Sequence, residues 1–194
     1  MIRKKEPKVL AWDVDTQKEY FKPFGQSVNY IRGIRKNIEI FIQEFRKRGI
    51  RIWGSIDQRV ATKEGSEKIQ ETTPINPIWI PPESEFDEFD VNGNQPFQRE
   101  LYFLKNSEDV FENINLVRSL KGTEAATIVI FGTMLEECVK NTVLGFLIRG
   151  YKTIVIRDAI RSTNPGNQEK TLRMLEQKGA EIYYLEDGLK DLLR

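Results

Sequence analysis

Residues 126–156, ATIVIFGTMLEECVKNTVLGFLIRGYKTIVI, decide the fold of this chain. The apolar run 126–131 predicts a buried strand, and residues 153–156 predict another. Between them, residues 135–149 predict a helix that Gly150 closes. A strand, a helix and a second strand in this order form a right-handed crossover between parallel strands. The stretch therefore predicts a parallel sheet that helices cover on its faces.

The same alternation extends in both directions from this unit. Further strands are predicted at residues 9–14, 50–53, 101–104 and 182–185. Further helices are predicted at residues 27–48, 112–120 and 168–178 and at the C-terminus, with Ser27 as an N-cap and Gly49 as a stop. The pattern predicts an α/β fold of three layers, α-β-α, with a six-stranded, mainly parallel sheet. The length of 194 residues indicates a single domain over residues 1–194.

Residues 54–99 interrupt this regular pattern. The segment holds most of the eight prolines, and its stretch PINPIWIPP at residues 74–82 is incompatible with a regular central strand. We expect an irregular loop insertion at about 54–99. A loop of this length is typical of a lid, a pocket wall or an oligomer contact.

Composition excludes several classes of protein and of catalyst. The chain has 30 Lys and Arg against 29 Asp and Glu, and this balance argues against a dedicated nucleic-acid binder. It has no His, which excludes a Ser-His-Asp or Cys-His mechanism and a His-ligated zinc site. Any proton transfer must therefore use carboxylate, Lys, Tyr or Cys side chains.

The sequence predicts a cytoplasmic protein without membrane contact. No apolar stretch is long enough to span a bilayer, and the charged N-terminal residues do not resemble a signal peptide. The single Cys fits a reducing compartment.

Three reactive side chains are predicted to lie at one edge of the sheet. Asp15 follows the first strand, Lys105 ends the third, and Cys138 lies just beyond the strand 126–131. Ligands of open α/β sheets bind outside the carboxyl ends of the strands. A carboxylate, an ammonium and the chain's one thiol at this edge indicate a catalytic site, although a buried, unreactive Cys is the common alternative.

We expect the thiol of Cys138 to be acidic. The first turn of a helix offers unpaired N–H groups and a partial positive charge, and Lys105 adds a positive charge, so both favour the thiolate. Glu136 and Glu137 oppose this effect, but we expect them to pair with the helix dipole on the solvent face.

Four stretches resemble the isochorismatase-like cysteine hydrolases, a superfamily that includes nicotinamidases, N-carbamoylsarcosine amidase-like enzymes and isochorismatases. They are VDTQKEY at 14–20, KNSEDVF at 105–111, GTMLEECVKNT at 132–142 and GYKTIVIRDA at 150–159. The third is the most specific, with a glycine six residues before the Cys. The resemblance covers nearly the whole chain except residues 54–99.

The resemblance implies a catalytic triad of Asp15, Lys105 and Cys138. Asp15 would accept the thiol proton and later give it to the leaving amine, Lys105 would support the two charges, and Cys138 would form a thioester. A cis peptide before Met134 would orient the backbone N–H groups of Met134 and Cys138 as an oxyanion hole.

The resemblance also bears on the pocket and the assembly. Tyr20 and Phe111 correspond to pocket-lining residues of relatives, although each is also a plausible core residue. A small-molecule substrate and a homo-oligomer, either a dimer or a tetramer, are implied as well.

Two departures from the family pattern affect the expected chemistry. Nicotinamidases of the superfamily have an Asp and His metal site after the second strand, whereas this chain reads GSIDQR at 54–59. Asp57 alone is a poor metal site, so we expect no metal and no other cofactor. Asp13 replaces a usually apolar residue. It is either a salt-bridged structural acid, which we favour, or a like charge that raises the pKa of Asp15.

Three functions remain open from the sequence. The first is a metal-independent hydrolase of a small amide or a related C–N bond. The second is a binding or scaffold protein that kept the fold without turnover. The third is an Asp-dependent vinyl-ether hydrolase of the isochorismatase type, which would not need Cys138.

Overall fold

The computed structural model describes residues 9–60, 67–83, 99–123 and 125–192. The strands are β1 (Val9–Val14), β2 (Arg51–Asp57), β3 (Ile78–Ile80), β4 (Leu101–Lys105), β5 (Thr127–Thr133), β6 (Lys152–Arg161) and β7 (Glu181–Tyr183). They form one sheet in the order β3-β4-β2-β1-β5-β6-β7, and every neighbouring pair is parallel. The helices are α1 (Val28–Lys47), α2 (Ile114–Lys121), α3 (Lys140–Ile148), α4 (Gln168–Gln177) and α5 (Leu185–Leu192).

Helices cover both faces of the sheet, which confirms the predicted three-layer α/β fold. On one face, Trp12 of β1 packs in a buried cluster with Phe146 of α3 and Leu172 of α4. On the other face, Phe131 of β5 packs with Phe41 of α1, and the centroids of the two rings lie 4.8 Å apart. Successive side chains of a strand point to opposite faces, so each central strand contributes to both clusters.

The helix α1 begins and ends where the sequence predicts. The side chain of Ser27 accepts a hydrogen bond from the backbone N–H of Tyr30, which caps the first turn. At the other end, Gly49 has a φ of 68° that reverses the chain at low steric cost.

The seventh strand is the main departure from the predicted fold. Strand β3 lies inside the proline-rich stretch and pairs with β4 alone, at the edge of the sheet. An edge strand tolerates flanking prolines because one of its sides makes no ladder hydrogen bonds. Residues 61–66 and 84–98 of the predicted insertion lie outside the described residues.

Strands β2 and β6 are longer than predicted. Strand β2 continues through Ser55 to Asp57, and β6 continues to Arg161 across a register shift with β5. The side chains of Ser55, Asp57 and Arg161 are buried. The polar ends of these strands therefore belong to the interior of the carboxyl edge and not to solvated loops.

Gly132 lets β5 approach β1 closely at this edge. It has a φ of 124°, and a side-chain Cβ there would lie 2.2 Å from the backbone oxygen of Val14. This close approach places the residues that follow β5 against Asp15.

Among the described residues, none of the helices combines the length and apolar character that crossing a bilayer requires.

Candidate active site

The structure brings Asp15, Lys105 and Cys138 together at the carboxyl edge of the sheet. The Nζ atom of Lys105 lies 2.9 Å from Oδ2 of Asp15 and 3.3 Å from Sγ of Cys138. Asp15 and Lys105 have no exposed surface, and Cys138 is 2% exposed. Three groups from distant parts of the sequence thus form one buried cluster, and their catalytic roles remain predictions.

Hydrogen bonds hold the carboxylate and the ammonium in place. Ser55 donates its hydroxyl to Oδ1 of Asp15 at 2.7 Å, and Thr133 donates to the backbone oxygen of Asp15 at 2.8 Å. Lys105 also donates to the backbone oxygen of Ser107 at 2.7 Å. Asp15 itself has a φ of 45°, which is uncommon for a residue other than glycine.

Cys138 lies in a short π-helical turn, Leu135–Val139, that leads into α3. The peptide bond between Thr133 and Met134 is cis, at the position where the resemblance places one. The backbone oxygen of Met134 accepts hydrogen bonds at 3.1 Å from the N–H groups of Glu137 and Val139. Met134 and Cys138 thus belong to one tight turn, and their joint role as an oxyanion hole remains a prediction.

The thiol of Cys138 is less acidic than the sequence suggested. Burial raises its pKa to about 12, the charge of Asp15 also raises it, and Lys105 lowers it by less. The expectation of an acidic thiol was wrong because the helix start and Lys105 are outweighed by burial and by the adjacent carboxylate. Cys138 is therefore a neutral thiol near pH 7 and needs a base to become a nucleophile.

Lys105 remains a cation in this buried cluster. Burial acts to lower its pKa, but the carboxylate charges of Asp15 and Asp57 and the polar contact with Cys138 act in the opposite direction, and the pKa is raised above its usual value.

Beside these three residues lies a second ionic group that the sequence analysis did not identify. Asp57 accepts hydrogen bonds on Oδ2 from Nη2 of Arg59 at 2.7 Å and from the hydroxyl of Tyr20 at 2.6 Å. The same Oδ2 lies 3.8 Å from Nζ of Lys105. The side-chain amide of Gln17 binds both backbone polar groups of Asp57. The polar residues at 55–59, just after the predicted second strand, were the signal in the sequence that could have indicated this group.

Asp57 is held as a carboxylate by these contacts. Burial acts to raise its pKa, but hydrogen bonds from Arg59 and Tyr20 and the charge of Lys105 lower it below its usual value.

The two predicted pocket residues lie in different surroundings. Tyr20 reaches the site through its hydrogen bond to Asp57. The ring of Phe111 packs edge-on against Phe146 at 5.1 Å, beneath the guanidinium of Arg149 at 3.8 Å. A substrate-contacting role is a prediction for both residues.

Glu136 is partly buried and binds residues beyond its own helix, whereas we expected it to pair with the helix dipole on the solvent face. Its carboxylate accepts hydrogen bonds from the backbone N–H and the hydroxyl of Thr163, at 2.8 and 2.9 Å, and from the hydroxyl of Ser162. It therefore fastens the turn that holds Cys138 to the segment that follows β6.

Asp13 is a salt-bridged structural acid, as the sequence analysis favoured. Its Oδ2 lies 3.0 Å from Nζ of Lys68 and accepts a hydrogen bond from Thr16 at 2.9 Å. Lys68 also donates to the backbone oxygen of Ser55 at 3.1 Å. Both charged side chains are buried, so this pair attaches the segment around Lys68 to β1 and β2.

Replacing Lys68 with methionine is expected to destabilise the fold by about 3–5 kcal/mol, because Asp13 would be left buried without its cation. Urea unfolding of Lys68→Met, followed by circular dichroism, measures the loss. Lys190→Met, which removes a cation from an exposed pair with Glu186, serves as the control and is expected to change stability by less than about 1 kcal/mol. A loss of the same size in both variants would refute the structural role of Lys68.

The sequence and the fold were both compared with those of known proteins. A sequence model of the isochorismatase domain matches residues 13–187. No curated protein matches the chain significantly.

Solved structures with the same fold cover nearly the whole chain. An isochorismatase family protein from Desulfovibrio vulgaris superposes with a TM-score of 0.74 at 17% identity, covering 96% of this chain and 98% of that one. A nicotinamidase from Staphylococcus aureus gives 0.68 at 19% identity, covering 90% and 96%. An isochorismatase from Pseudomonas putida gives 0.74 at 16% identity, covering 94% and 91%. At 16–19% identity, these similarities establish a shared fold.

Proposed function

This chain belongs to the isochorismatase family, and from that membership and its site geometry we propose that it is a cysteine hydrolase. The proposed reaction is cleavage of a small amide or a related C–N bond through a thioester on Cys138. The observation that carries the proposal is the ammonium of Lys105 between the carboxylate of Asp15 and the sulfur of Cys138, at 2.9 and 3.3 Å.

In the first half-reaction, Asp15 accepts the Sγ proton while Sγ bonds to the carbonyl carbon of the substrate. The electron pair of the C=O bond moves to its oxygen, which the backbone N–H groups of Met134 and Cys138 stabilise. When the tetrahedral intermediate collapses, the C=O bond re-forms and the C–N bond breaks. Asp15 gives its proton to the departing nitrogen, and an acyl thioester remains on Cys138.

In the second half-reaction, Asp15 accepts a proton from a water molecule that attacks the thioester carbon. Collapse of the second tetrahedral intermediate breaks the C–S bond, releases a carboxylic acid and returns the proton to Sγ. Lys105 remains charged throughout and stabilises whichever of Asp15 and Cys138 is the anion. Because the pKa of Cys138 is about 12, its thiol needs a neighbouring base to remove the proton, and Asp15 is that base in this proposal.

The proposal includes three wider expectations. The enzyme acts without a metal ion, it is a homo-oligomer, and it works on a small molecule in the cytoplasm. The first is supported by the absence of His from the sequence and the last by the single Cys.

A panel of small primary amides and carbamoyl compounds tests the proposal. We expect the purified chain, dialysed against EDTA, to release ammonia or an amine from at least one of them. Cleavage of vinyl ethers with no reaction on any amide would contradict the proposal in favour of the Asp-dependent ether hydrolase. No product from either class would contradict it in favour of a binding protein.

A further inference from the structure

Arg59 lies two residues beyond Asp57, in the stretch at the end of β2 that corresponds to the Asp and His metal site of the nicotinamidases that this chain resembles. We infer that its guanidinium provides this site with a fixed positive charge in place of a metal ion, and that its free edge binds a carboxylate of the substrate. This inference rests on the proposed function and narrows the substrate to a small amide that also carries a carboxylate.

The donor set around Asp57 does not fit a metal ion. Both carboxylate oxygens of Asp57 already accept hydrogen bonds from Arg59, at 3.0 Å on Oδ1 and 2.7 Å on Oδ2. The other nearby donors, Asp15 and Cys138, lie within 4.8 Å of Asp57. Lys105 contacts all three groups, at 2.9, 3.3 and 3.8 Å. A divalent ion would therefore meet two fixed cations, and the chain offers no His as a further ligand.

The guanidinium of Arg59 binds Asp57 along one edge and has a second edge that is open for a ligand. Its Nε and Nη2 atoms donate to Asp57, and no described residue accepts from Nη1. The Arg59 side chain is 42% exposed, whereas that of Asp57 has no exposed surface. The guanidinium is therefore fixed from below by Asp57 and open on its outer side.

A guanidinium fixed in this way is suited to a carboxylate. It is planar, permanently charged and forms short charge-assisted hydrogen bonds with carboxylate oxygens. Arg59 is linked to the reacting groups through Asp57, because Oδ2 of Asp57 contacts both Arg59 and Lys105. A carboxylate oxygen of Asp57 also lies within 4.8 Å of the sulfur of Cys138. Arg59 would thus orient an anionic substrate and select against one without the charge.

Two alkylating reagents test this inference without knowledge of the substrate. Iodoacetate and iodoacetamide are both thiol-alkylating reagents, and of the two only iodoacetate carries a carboxylate. In Arg59→Met, we expect the ratio of the iodoacetate rate to the iodoacetamide rate to fall about tenfold or more relative to the unmodified chain. An unchanged ratio would overturn the inference.

Arg35→Met is the matched control for the loss of a guanidinium. Arg35 is 39% exposed and binds Glu71 through Nε at 2.8 Å and Nη2 at 2.9 Å. It therefore binds a carboxylate through the same two nitrogens as Arg59, but not the carboxylate of Asp57 beside Lys105. We expect its reagent ratio to equal that of the unmodified chain. An equal fall in both variants would overturn a local role for Arg59.

Equilibrium dialysis with Mn²⁺ provides a readout that needs no reactive thiol. We expect no stoichiometric binding at micromolar Mn²⁺ in the unmodified chain. Stoichiometric binding that Asp57→Asn abolishes would overturn the inference. If Cys138 resists both reagents even at alkaline pH, where the thiolate forms, small molecules do not reach the sulfur and the proposed function fails. Mn²⁺ binding then decides alone whether Arg59 replaces the metal.

Discussion

Replacing Asp15 with asparagine is expected to lower hydrolysis about 10³–10⁴-fold and, at the same time, to make Cys138 easier to alkylate. The two effects have opposite signs because Asp15 does two things. It is the proposed base, so turnover is lost with it. Its charge also raises the pKa of the Cys138 thiol, so that pKa falls from about 12 when the charge is removed. Lys105, at 3.3 Å from Sγ, then favours the thiolate without competition from Asp15.

Alkylation by iodoacetamide as a function of pH measures this second effect. We expect the rate at pH 8 to be at least about tenfold higher in Asp15→Asn than in the unmodified chain, since one pKa unit changes the thiolate fraction tenfold. Asp57→Asn removes a neighbouring buried carboxylate and is expected to change the rate less. If Asp15→Asn alkylated more slowly than the unmodified chain, the claim that the charge of Asp15 suppresses thiolate formation at Cys138 would be wrong.

Replacing Lys105 with methionine is expected to lower hydrolysis about 10²–10³-fold and to destabilise the fold by about 3–5 kcal/mol. The loss of the ammonium leaves Asp15 and Asp57 as buried carboxylates that had contacted it at 2.9 and 3.8 Å. It also removes the cation that lowers the pKa of Cys138, so alkylation should slow. Lys105→Met and Asp15→Asn therefore shift thiol reactivity in opposite directions.

Urea unfolding and iodoacetamide alkylation on the same preparations check both parts of this prediction. Lys105→Arg keeps the positive charge and is expected to retain more stability than Lys105→Met, so it separates the charge from the shape of the side chain. Lys105→Met with hydrolysis within tenfold of the unmodified chain would show that Lys105 has no electrostatic role in the reaction.

The arrangement of the sheet could be largely predicted from hydrophobic pattern. The strand 9–14 was predicted with its observed bounds, and the helix α1 with its Ser27 cap. Because parallel strands end at one edge, the positions of Asp15, Lys105 and Cys138 followed from the order of the elements alone. Their actual separations needed the three-dimensional structure.

The features that were missed are those that depend on burial of polar groups. Strand β2 continues through Ser55 and Asp57 because the site buries these polar residues, a pattern that sequence periodicity reads as loop. The acidity of Cys138 was predicted with the wrong sign because desolvation cannot be estimated before the neighbours are known. The ion pair between Asp57 and Arg59 was missed for the same reason. It depends on the burial of Asp57 at the end of β2, which the sequence alone did not reveal.

Intact-protein mass spectrometry after rapid quenching tests the central claim most directly. With an amide that the chain hydrolyses, we expect a covalent adduct of the mass of the acyl group, located on Cys138 by peptide mapping and absent from Cys138→Ala. An adduct on another residue, or steady hydrolysis by Cys138→Ala, would contradict the thioester mechanism.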